Sequence, residues 1–558
     1  MKFSKILTTA FVALGATLAL SGCIRETYPK ESTITADQLA ASPTAGENLL
    51  KGIARGILAP AYGGWEHTDF GFPSVGVYND QAAQIICTNG WMLGNAPAYN
   101  RFYLGAWGKG YGATGWMPVH FWYTYYPQIK SCNDVVKLVA DYNLDSSYAA
   151  IARTFRASLY LDLARLFECM YIEKDLNDYA TQSVAVQGLT VPIVTEFTTE
   201  EEATNNPRAT REELFTYILA DLAFAEEELA KETYRPNSVS DPTLAVIYGM
   251  YARVYLWLGG FTDGLNGELP EGNAAYTLAS EYAQKAIQEF GGAVMTEDEW
   301  TNKTSGFNTK ASSWMWTLRH STDTVAGNLH QFAAHMAPEA TYGYCQFTCP
   351  GVGSNYYDMM SDTDFRKKLI IAPEWSNWLE FKQYTTMSKE EYEAMAPYTF
   401  FKFRPGQGNR TDYATAGAID IPMMRCEEMY FIDMEATFHT KGAEAALNSL
   451  ISFMTTYRDP NFRFNSQDYL DLIIKHKAIE FWGEGIVMYD MKRLNMGVDC
   501  AYEGTNYDEQ RRFSTDHRLP WWTPVIPQSE TQINTAITAN LNNPDPTSVV
   551  EPKVVAQE

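Results

Sequence analysis

The chain has 558 residues, and 46% of them are hydrophobic types, which is enough to bury a large core. Its formal net charge is −24 at pH 7, and no basic stripe in the sequence offsets this charge. A surface of this charge repels phosphate backbones at long range, so we exclude nucleic-acid binding.

The first 22 residues have the order of a bacterial lipoprotein signal. Lys2 and Lys5 precede an apolar stretch from Ile6 to Leu20, and small residues then lead to Cys23. In such signals the chain is cut before the cysteine, whose thiol carries the lipid. We therefore predict a signal peptide at 1–22 and a lipid on Cys23, because several acyl chains hold a protein on a membrane almost permanently.

The remaining chain is predicted to be a tether followed by one domain. Residues 23–45 are polar and rich in Thr, Ser and Glu, as expected of a lipidated tether. Residues 46–558 contain no further transmembrane pattern and are predicted to form a single helical domain. The cysteines after Cys23 are odd in number, so at least one is unpaired, and a local bridge between Cys345 and Cys349 stays open.

Apolar residues at helical spacing predict most of this domain to be helix. The predicted stripes run over Phe155–Met170, Leu214–Leu229, Leu244–Leu258, Tyr276–Phe290, Met424–Phe438, Ala443–Thr456 and Leu470–Trp482. Thr210 and Glu213 form a capping-box pattern before the second stripe, and Gly259 and Gly260 end the third. Serial helical hairpins predict a mainly α fold with tetratricopeptide-like helix pairs, although the sequence has no clear 34-residue repeat.

Two segments are predicted to be loop-rich, because glycine and aromatic residues replace the helical pattern there. They lie near 62–126 and near 300–410, and a strand-like run at Phe400–Phe403 interrupts the second. Long irregular segments inside a compact protein tend to be functional. We therefore predict an irregular ligand-binding face at these loops.

The first loop-rich segment places aromatic rings beside polar side chains, which suits the binding of sugars or peptides. Pyranose C–H groups stack on aromatic faces, and their hydroxyl groups bond to Asn and Arg, while peptides use the same kinds of group. Most of the many rings are expected in the core. The candidate ligand-binding residues of this segment are Trp91, Asn95, Tyr99, Arg101 and Trp107.

Signatures of enzymes and metal sites are scarce. The glycines of Gly108–Gly112 lack the spacing of a phosphate-binding loop, and no nucleophile elbow is present. His330 and His335 are five positions apart, which places them on different sides of a helix, and no HExxH pattern accompanies them. We predict no metal, no cofactor and no catalysis. An all-helical glycoside hydrolase stays open as an alternative, and it needs two carboxylates across a cleft.

Several segments resemble the RagB/SusD family of surface nutrient-binding lipoproteins. Ile526–Glu530 with Asn542–Pro544 resembles the closing motif of the family, with a small insertion after Glu530. Arg425–Ala436 and Ile474–Asn495 resemble two family helices, although His476 and Lys477 stand where a Glu-Arg pair is more usual. The order of these motifs is more specific than any one of them.

The resemblance implies a mostly helical lipoprotein on the outer membrane, facing the cell exterior. It implies an oligosaccharide ligand and a TonB-dependent outer-membrane transporter as partner, and thus a role in nutrient uptake. A peptide-binding member of the same family stays open as the alternative. By analogy of region, the resemblance also places Trp316, Tyr342 and Tyr344 on the opposite side of the binding site from the first loops.

The helix at Ile474–Asn495 carries Glu480, Glu484 and Asp490. Three carboxylates this close in sequence resemble a catalytic acid pair, but an acid pair needs a cleft and a raised pKa. Because they lie in a structural motif of the family, we predict buried capping and ion-pair roles for them.

Overall fold

Eleven helices of seven or more residues carry the fold in the computed structural model, which describes residues 45–61, 67–91, 108–170 and 182–548. They are α1 (Ala45–Leu58), α2 (Phe72–Ala82), α3 (Trp116–Tyr142), α4 (Ser146–Phe167), α5 (Arg211–Leu229), α6 (Leu244–Gly259), α7 (Gly272–Phe290), α8 (Cys426–Lys441), α9 (Ala443–Tyr457), α10 (Tyr469–Glu480) and α11 (Val487–Arg493). Residues Gly46–Glu558 form one compact unit.

Short α-helices punctuate the loops between these elements. They are Glu200–Ala203, Glu297–Thr301, Phe332–Met336, Cys345–Thr348, Ser354–Met359, Trp378–Phe381, Lys389–Glu393, Tyr413–Gly417 and Gln528–Thr531. Five of these nine short helices lie wholly within the second predicted loop-rich segment at 300–410. That segment is therefore irregular but well supplied with single helical turns.

The local signals in the sequence act as expected at α5 and α6. The Thr210 side chain accepts a hydrogen bond from the Glu213 amide, and Glu213 bonds back to the Thr210 amide, which completes the capping box of α5. Helix α6 ends at Gly259, where the predicted glycine pair begins. Helices α4 and α7 start earlier than their apolar stripes, because their first turns contain small or polar residues, such as Ser146 and Asn273, that add nothing to the stripe.

The long helices pack against their neighbours in the chain. Helices α3, α4 and α5 contact one another in order, and α6, α7, α8 and α9 continue the series. Their facing surfaces are built from small and aliphatic residues, such as Ala275, Ala279 and Ala283 of α7, all without exposed surface. Small residues let neighbouring helices approach closely. The predicted mainly α fold with tetratricopeptide-like helix pairs is confirmed.

Two strands form a small antiparallel sheet. Strand β1 (Trp314–Arg319) pairs with β2 (Asp420–Arg425), with an irregular register near Trp316. The strand expected at Phe400–Phe403 does not form, and the run contributes only an isolated β-bridge between Ile370 and Phe400. Met424, predicted to start a helix, belongs to β2 instead, and α8 starts two residues later at Cys426.

Part of the first predicted loop-rich segment is helical. Helix α2 lies inside 62–126, and α3 begins within it. Aromatic residues have only middling helix propensity, but Phe121 and Tyr125 of α3 are buried in the core. Tertiary packing therefore stabilises helices that the local composition did not predict.

The seven cysteines of the described residues are free and buried, and Cys345 and Cys349 are not bridged. Burial raises the pKa of the Cys349 thiol, which keeps it protonated at neutral pH. Within the described ranges, no helix combines the length and apolar character needed to cross a membrane.

Candidate functional site

The two loop-rich segments meet at four ring side chains, which we call the histidine–tyrosine cluster: His67, His330, His335 and Tyr344. The Nδ1 atom of His67, from the first segment, hydrogen-bonds the hydroxyl of Tyr344, from the second. The ring centroids of His67 and His330 are 5.0 Å apart, and those of His335 and Tyr344 are 5.1 Å apart. The cluster therefore joins segments that are 277 positions apart in the sequence.

His335 holds the backbone beneath this cluster. Its Nε2 atom lies 3.0 Å from the carbonyl oxygen of His67 and 2.9 Å from that of Leu329. Because carbonyl oxygens only accept, Nε2 carries a proton and donates. Burial lowers the pKa of His335 to about 4, so the ring is neutral at pH 7, and Phe70 stacks on it at 4.7 Å. At neutral pH, His335 therefore connects the backbones of the two loop-rich segments through hydrogen bonds.

Tyr342 stands next to the cluster and is half-buried. Its hydroxyl donates to Gln331 Oε1 at 3.1 Å, and Gln331 Nε2 donates to the carbonyl oxygen of Tyr413 at 3.0 Å. The ring of Tyr413 is 43% exposed. These bonds hold the partly accessible ring of Tyr342 and the backbone of Tyr413 through the same side chain, Gln331.

Trp91 is an accessible ring in the first segment, with 40% of its surface exposed. The residues just before it are tied to the body of the protein at two points. The amide of Cys87 donates to the carbonyl oxygen of Gly351 at 2.9 Å, and the amide of Asp508 donates to that of Thr88 at 3.0 Å. Trp91 therefore follows a firmly anchored piece of backbone.

Two of the predicted ligand-binding residues belong to the core. Trp316 has no exposed surface, its Nε1 donates to the carbonyl oxygen of Ser240 at 2.7 Å, and its ring packs on Phe155 at 4.7 Å. Tyr344 is only 5% exposed and is bonded to His67. The prediction of ligand contact is wrong for these two residues, because their rings and polar atoms are already occupied by the protein. Neither offers a free face.

Trp316 instead supports the wall of an open cavity of about 450 Å³. Phe155 and Ser240, which contact Trp316, both line this cavity, together with the rings of Tyr148 and Tyr234. Its rim carries arginines and aspartates as well as serines. Rings beside polar side chains are the groups predicted for a ligand site, but the rings come from helix α4 and from the loop before α6, outside the two predicted segments.

The remaining predicted site residues, Asn95, Tyr99, Arg101 and Trp107, lie outside the described residues, as does the predicted lipidation site Cys23. Of the eight predicted ligand-binding residues, Trp91 and Tyr342 are therefore the two that the structure describes with accessible rings.

Sequence reasoning missed His67 and assigned no structural role to His330 and His335. Isolated histidines produce no periodic pattern in a sequence. The five-residue spacing of His330 and His335 was considered only as a possible metal pair, and the prediction was that they bind no metal. Among the side chains that the structure describes, no group of three or more His, Cys, Asp or Glu is placed to hold a metal ion. The actual partners of these histidines are far apart in sequence, so only the fold reveals them.

The three carboxylates of the late helices form ion pairs, as predicted. Glu484 lies 2.6 Å from Lys402 and 2.9 Å from Arg425, and Asp490 lies 2.7 Å from Lys477. These pairs are buried, with side-chain exposures of 10% or less. Their oxygens therefore contact cations of the protein.

Glu480 is the centre of a larger group, which we call the arginine–carboxylate cluster: Arg366, Lys402, Arg425 and Arg458 with Asp364, Glu427, Glu480 and Glu484. Glu480 accepts two bonds from Arg458, both at 2.8 Å, and contacts Arg366 at 3.0 Å and Arg425 at 3.2 Å. Burial alone would raise the pKa of Glu480, but Arg458, Arg425 and Arg366 outweigh it and lower the pKa below its usual range. Four cations balance four anions, so the cluster is neutral as a whole.

Two family models match the chain. One, described as "SusD family", matches residues 282–544, and the other, described as "Starch-binding associating with outer membrane", matches residues 103–256. Together they account for most of the described helices. The chain belongs to the RagB/SusD family. The family description associates this chain with carbohydrate binding at the outer membrane, and no curated protein matches it.

Solved structures show the same fold for this RagB/SusD protein. A SusD-like carbohydrate binding protein from Bacteroides vulgatus is similar at a TM-score of 0.63 and 20% identity, over 89% of this chain and 97% of that chain. A SusD superfamily protein from Bacteroides thetaiotaomicron is similar at 0.62 and 19%, over 92% and 100%. One from Parabacteroides distasonis is similar at 0.58 and 14%, over 90% and 98%. At this identity the likeness shows the shared fold.

Proposed function

We propose that the protein is a lipid-anchored surface protein that binds oligosaccharides and delivers them, uncleaved, to a TonB-dependent outer-membrane transporter. The observation that carries the proposal is the joining of the two loop-rich segments at the histidine–tyrosine cluster. Beside the cluster, Gln331 bonds the hydroxyl of Tyr342 and the backbone carbonyl of Tyr413, and within the cluster Tyr344 bonds His67 of the first segment. Rigid rings of this kind lose little freedom when a ligand stacks on them.

The family assignment and the signal at Cys23 support the remaining parts of the proposal. The family model for residues 103–256 describes starch binding in association with the outer membrane. The paired state of Glu480, Glu484 and Asp490 argues against the glycoside hydrolase alternative, because buried, ion-paired carboxylates cannot act across an open cleft. The binding site then uses Trp91, Tyr342 and the loop residues Asn95, Tyr99, Arg101 and Trp107.

Calorimetry with a panel of neutral oligosaccharides and peptides tests the ligand class and the site. We expect an oligosaccharide to bind, and we expect Trp91→Ala and Tyr342→Ala each to weaken its binding about 5-fold, since a stacked ring contributes about 1 kcal/mol. Tyr142→Ala is the matched control, because Tyr142 is 37% exposed at the end of α3 and lies in neither loop-rich segment.

The same experiment can contradict the proposal in three ways. Binding of peptides alone would favour the peptide-binding alternative. Equal affinity of wild type and the Trp91→Ala, Tyr342→Ala double variant would reject the site. Release of shorter sugars by the purified protein would reject the absence of catalysis, and each variant is checked for an unchanged melting temperature so that lost packing is not mistaken for a lost contact.

The anchor and the partner have separate tests. Cys23→Ala should release the protein from membranes or block its maturation, whereas Cys23→Ala that stays in the membrane fraction would reject lipidation at this residue. Affinity purification from outer membranes in mild detergent should recover a β-barrel transporter, because a stable partner needs a sizeable interface. Recovery of the protein without any barrel would count against delivery to a transporter.

A further inference from the structure

The open cavity of about 450 Å³ that Trp316 supports also brings rings and polar groups together, and we call it the α1–α4 cavity. Helix α1, the first turns of α4, the loop before α6 and the end of β1 with the loop after it contribute to its lining. None of the described residues that line it belongs to the histidine–tyrosine cluster, and neither Trp91 nor Tyr342 lines it. The α1–α4 cavity is therefore separate from the binding site proposed above.

The inner lining of the α1–α4 cavity is apolar and aromatic. Leu50 of α1 and Phe155 of α4 line it and are 6% and 1% exposed. The half-buried rings of Tyr148 and Tyr234 line it as well. The hydroxyl of Tyr234 donates to the carbonyl oxygen of Pro242 at 2.7 Å, which holds this ring in place. A ring that is already held in place loses little freedom when a ligand stacks on it.

Tyr148 is held against helix α1. Gly46, at the start of α1, lies so close to the Tyr148 ring that a Cβ atom added there would be 2.1 Å from a ring carbon. The hydroxyl of Tyr148 makes no hydrogen bond with the described residues, so it can bond a ligand. Tyr148 thus offers a positioned ring and a polar end.

Two arginines supply hydrogen-bond donors at the rim. The Nε and Nη2 atoms of Arg319 donate to Asp420 at 2.6 and 2.8 Å, and its Nη1 makes no hydrogen bond with the described residues. The Arg319 side chain is 53% exposed. Arg55 of α1 is exposed and pairs with no carboxylate of the described residues. Both guanidinium groups therefore have donors left for a ligand.

Two aspartates supply acceptors. The Oδ2 atom of Asp241 accepts hydrogen bonds from the amides of Asn237 and Ser238 at 2.8 and 3.0 Å, which fixes the carboxylate and leaves its Oδ1 atom. Asp323, in the loop after β1, is exposed and pairs with no cation of the described residues. The rim therefore carries acceptors as well as donors.

The charges that line the α1–α4 cavity are balanced. Arg319 is paired with Asp420, and Lys51 lies 3.9 Å from Glu47. The remaining lining charges are those of Arg55 and Arg235 against Asp241 and Asp323. A charged ligand of either sign meets both attraction and repulsion there, whereas a sugar hydroxyl group both donates and accepts. The lining therefore favours a neutral ligand rich in hydroxyl groups.

We propose that the α1–α4 cavity is a second sugar site, which binds a residue of a neutral oligosaccharide. The C–H face of the sugar packs on the Tyr148 ring, and its hydroxyl groups bond to Arg55, Arg319 and Asp241. The ligand class rests on the function proposed above, whereas the place of the site rests on the lining of the cavity. Its volume lies in the usual range of ligand pockets, about 300–1,000 Å³.

The test measures sugar binding by calorimetry in the full-length Trp91→Ala, Tyr342→Ala double variant, in which the loop site is weakened. The probes are maltotetraose, mannotetraose and xylotetraose. We expect at least one probe to bind, and we expect an added Tyr148→Ala to weaken its binding about fivefold, because a stacked ring is lost. An added Arg55→Gln, which changes an exposed side chain and leaves the packing intact, should weaken it about threefold.

Tyr142→Ala with Arg463→Gln, added to the same double variant, is the matched control, because both side chains are exposed and neither lines the cavity. We expect the control to bind the probe within about twofold of the double variant. Equal losses in the control and in the variants of Tyr148 and Arg55 would overturn the second site.

Ligand charge is the second arm of the test. Because the lining charges are balanced, we expect binding of the neutral probe to change by less than about twofold between about 20 and about 200 mM NaCl. Tighter binding of tetragalacturonic acid, or of a chitosan tetramer, would overturn the assignment to a neutral sugar.

The outcomes separate this inference from the proposed function. Failure of every probe to bind the wild type would reject both. Binding to the wild type that is abolished in the Trp91→Ala, Tyr342→Ala double variant would overturn the second site alone and leave the proposed function intact.

Discussion

The two ends of helix α10 place carboxylates in opposite surroundings. At its C-terminal end, Glu480 has no exposed surface and contacts three guanidinium groups. At its N-terminal end, Asp468 and Asp471 line an open cavity, and Asp471 pairs with Lys475 at 2.7 Å. The carboxylate at the C-terminal end is enclosed by cations of the protein, whereas the carboxylates at the N-terminal end stay partly in contact with solvent. Pairing and burial, more than residue type, separate a structural charge from a solvated charge.

The difference predicts a large loss of stability when the ion pairs at the C-terminal end are broken. Glu480→Ala leaves Arg366, Arg425 and Arg458 buried with too few acceptors. We expect the free energy of unfolding to fall by about 3–5 kcal/mol, because an uncompensated buried charge is left behind. Denaturant unfolding followed by circular dichroism measures this change.

Asp471→Asn at the other end of the same helix is the matched comparison. Its ion pair with Lys475 is partly exposed, with side-chain exposures of 30% and 35%, so we expect a change below about 0.5 kcal/mol. Similar losses for Glu480→Ala and Asp471→Asn would contradict the distinction between the two ends of α10.

His476 sharpens the comparison, because it is a buried titratable group on α10 whose charge the fold does not favour. Burial, aided by Arg366, lowers the pKa of His476 from 6.5 to about 3. Below pH 6.5 the unfolded chain therefore binds a proton that the folded protein does not, so stability falls as the pH falls from 6.5 towards 3. Between pH 7 and pH 5 this contributes a loss of about 2 kcal/mol.

The measurement compares the pH dependence of unfolding in wild type and in His476→Gln. The variant should lose about 2 kcal/mol less than wild type between pH 7 and pH 5, whatever its stability at pH 7. Parallel curves for the two proteins would show that His476 is not the group that resists protonation. Other buried histidines, such as His320 and His335, contribute in the same direction and stay present in both proteins.

A smaller effect than that of Glu480→Ala concerns the cap at the N-terminal end of α10. The Asp468 side chain accepts a hydrogen bond from the Asp471 amide at 3.0 Å and so caps α10. Asp468→Ala should lower the free energy of unfolding by about 1 kcal/mol, whereas Asp468→Asn, which keeps the acceptor, should change it by much less. An equal effect of both substitutions would show that the charge of Asp468, and not its cap, stabilises the helix.

The candidate site was only partly predictable from the sequence. The pattern of rings and glycines selected Trp91 and Tyr342, which have accessible rings, but it also selected Trp316, which is buried in β1. The composition of a segment shows how many aromatic residues it contains, but it does not show which of them are buried. The contact between His67 and His335 joins segments that are distant in sequence, and no local sequence pattern predicts such a contact.

The sequence by itself predicted helices α4 to α10, since a capping box such as that of Thr210 and an apolar stripe such as that of α6 act within a few residues. It also predicted structural ion pairs for Glu480, Glu484 and Asp490, through their place in a family motif. Only the tertiary structure decided which charges are enclosed by partners and which stay in contact with solvent, because Arg366, Arg425 and Arg458 reach Glu480 from three separate parts of the chain. Burial and pairing are sums over neighbours distant in sequence, so they exist only once the chain has folded.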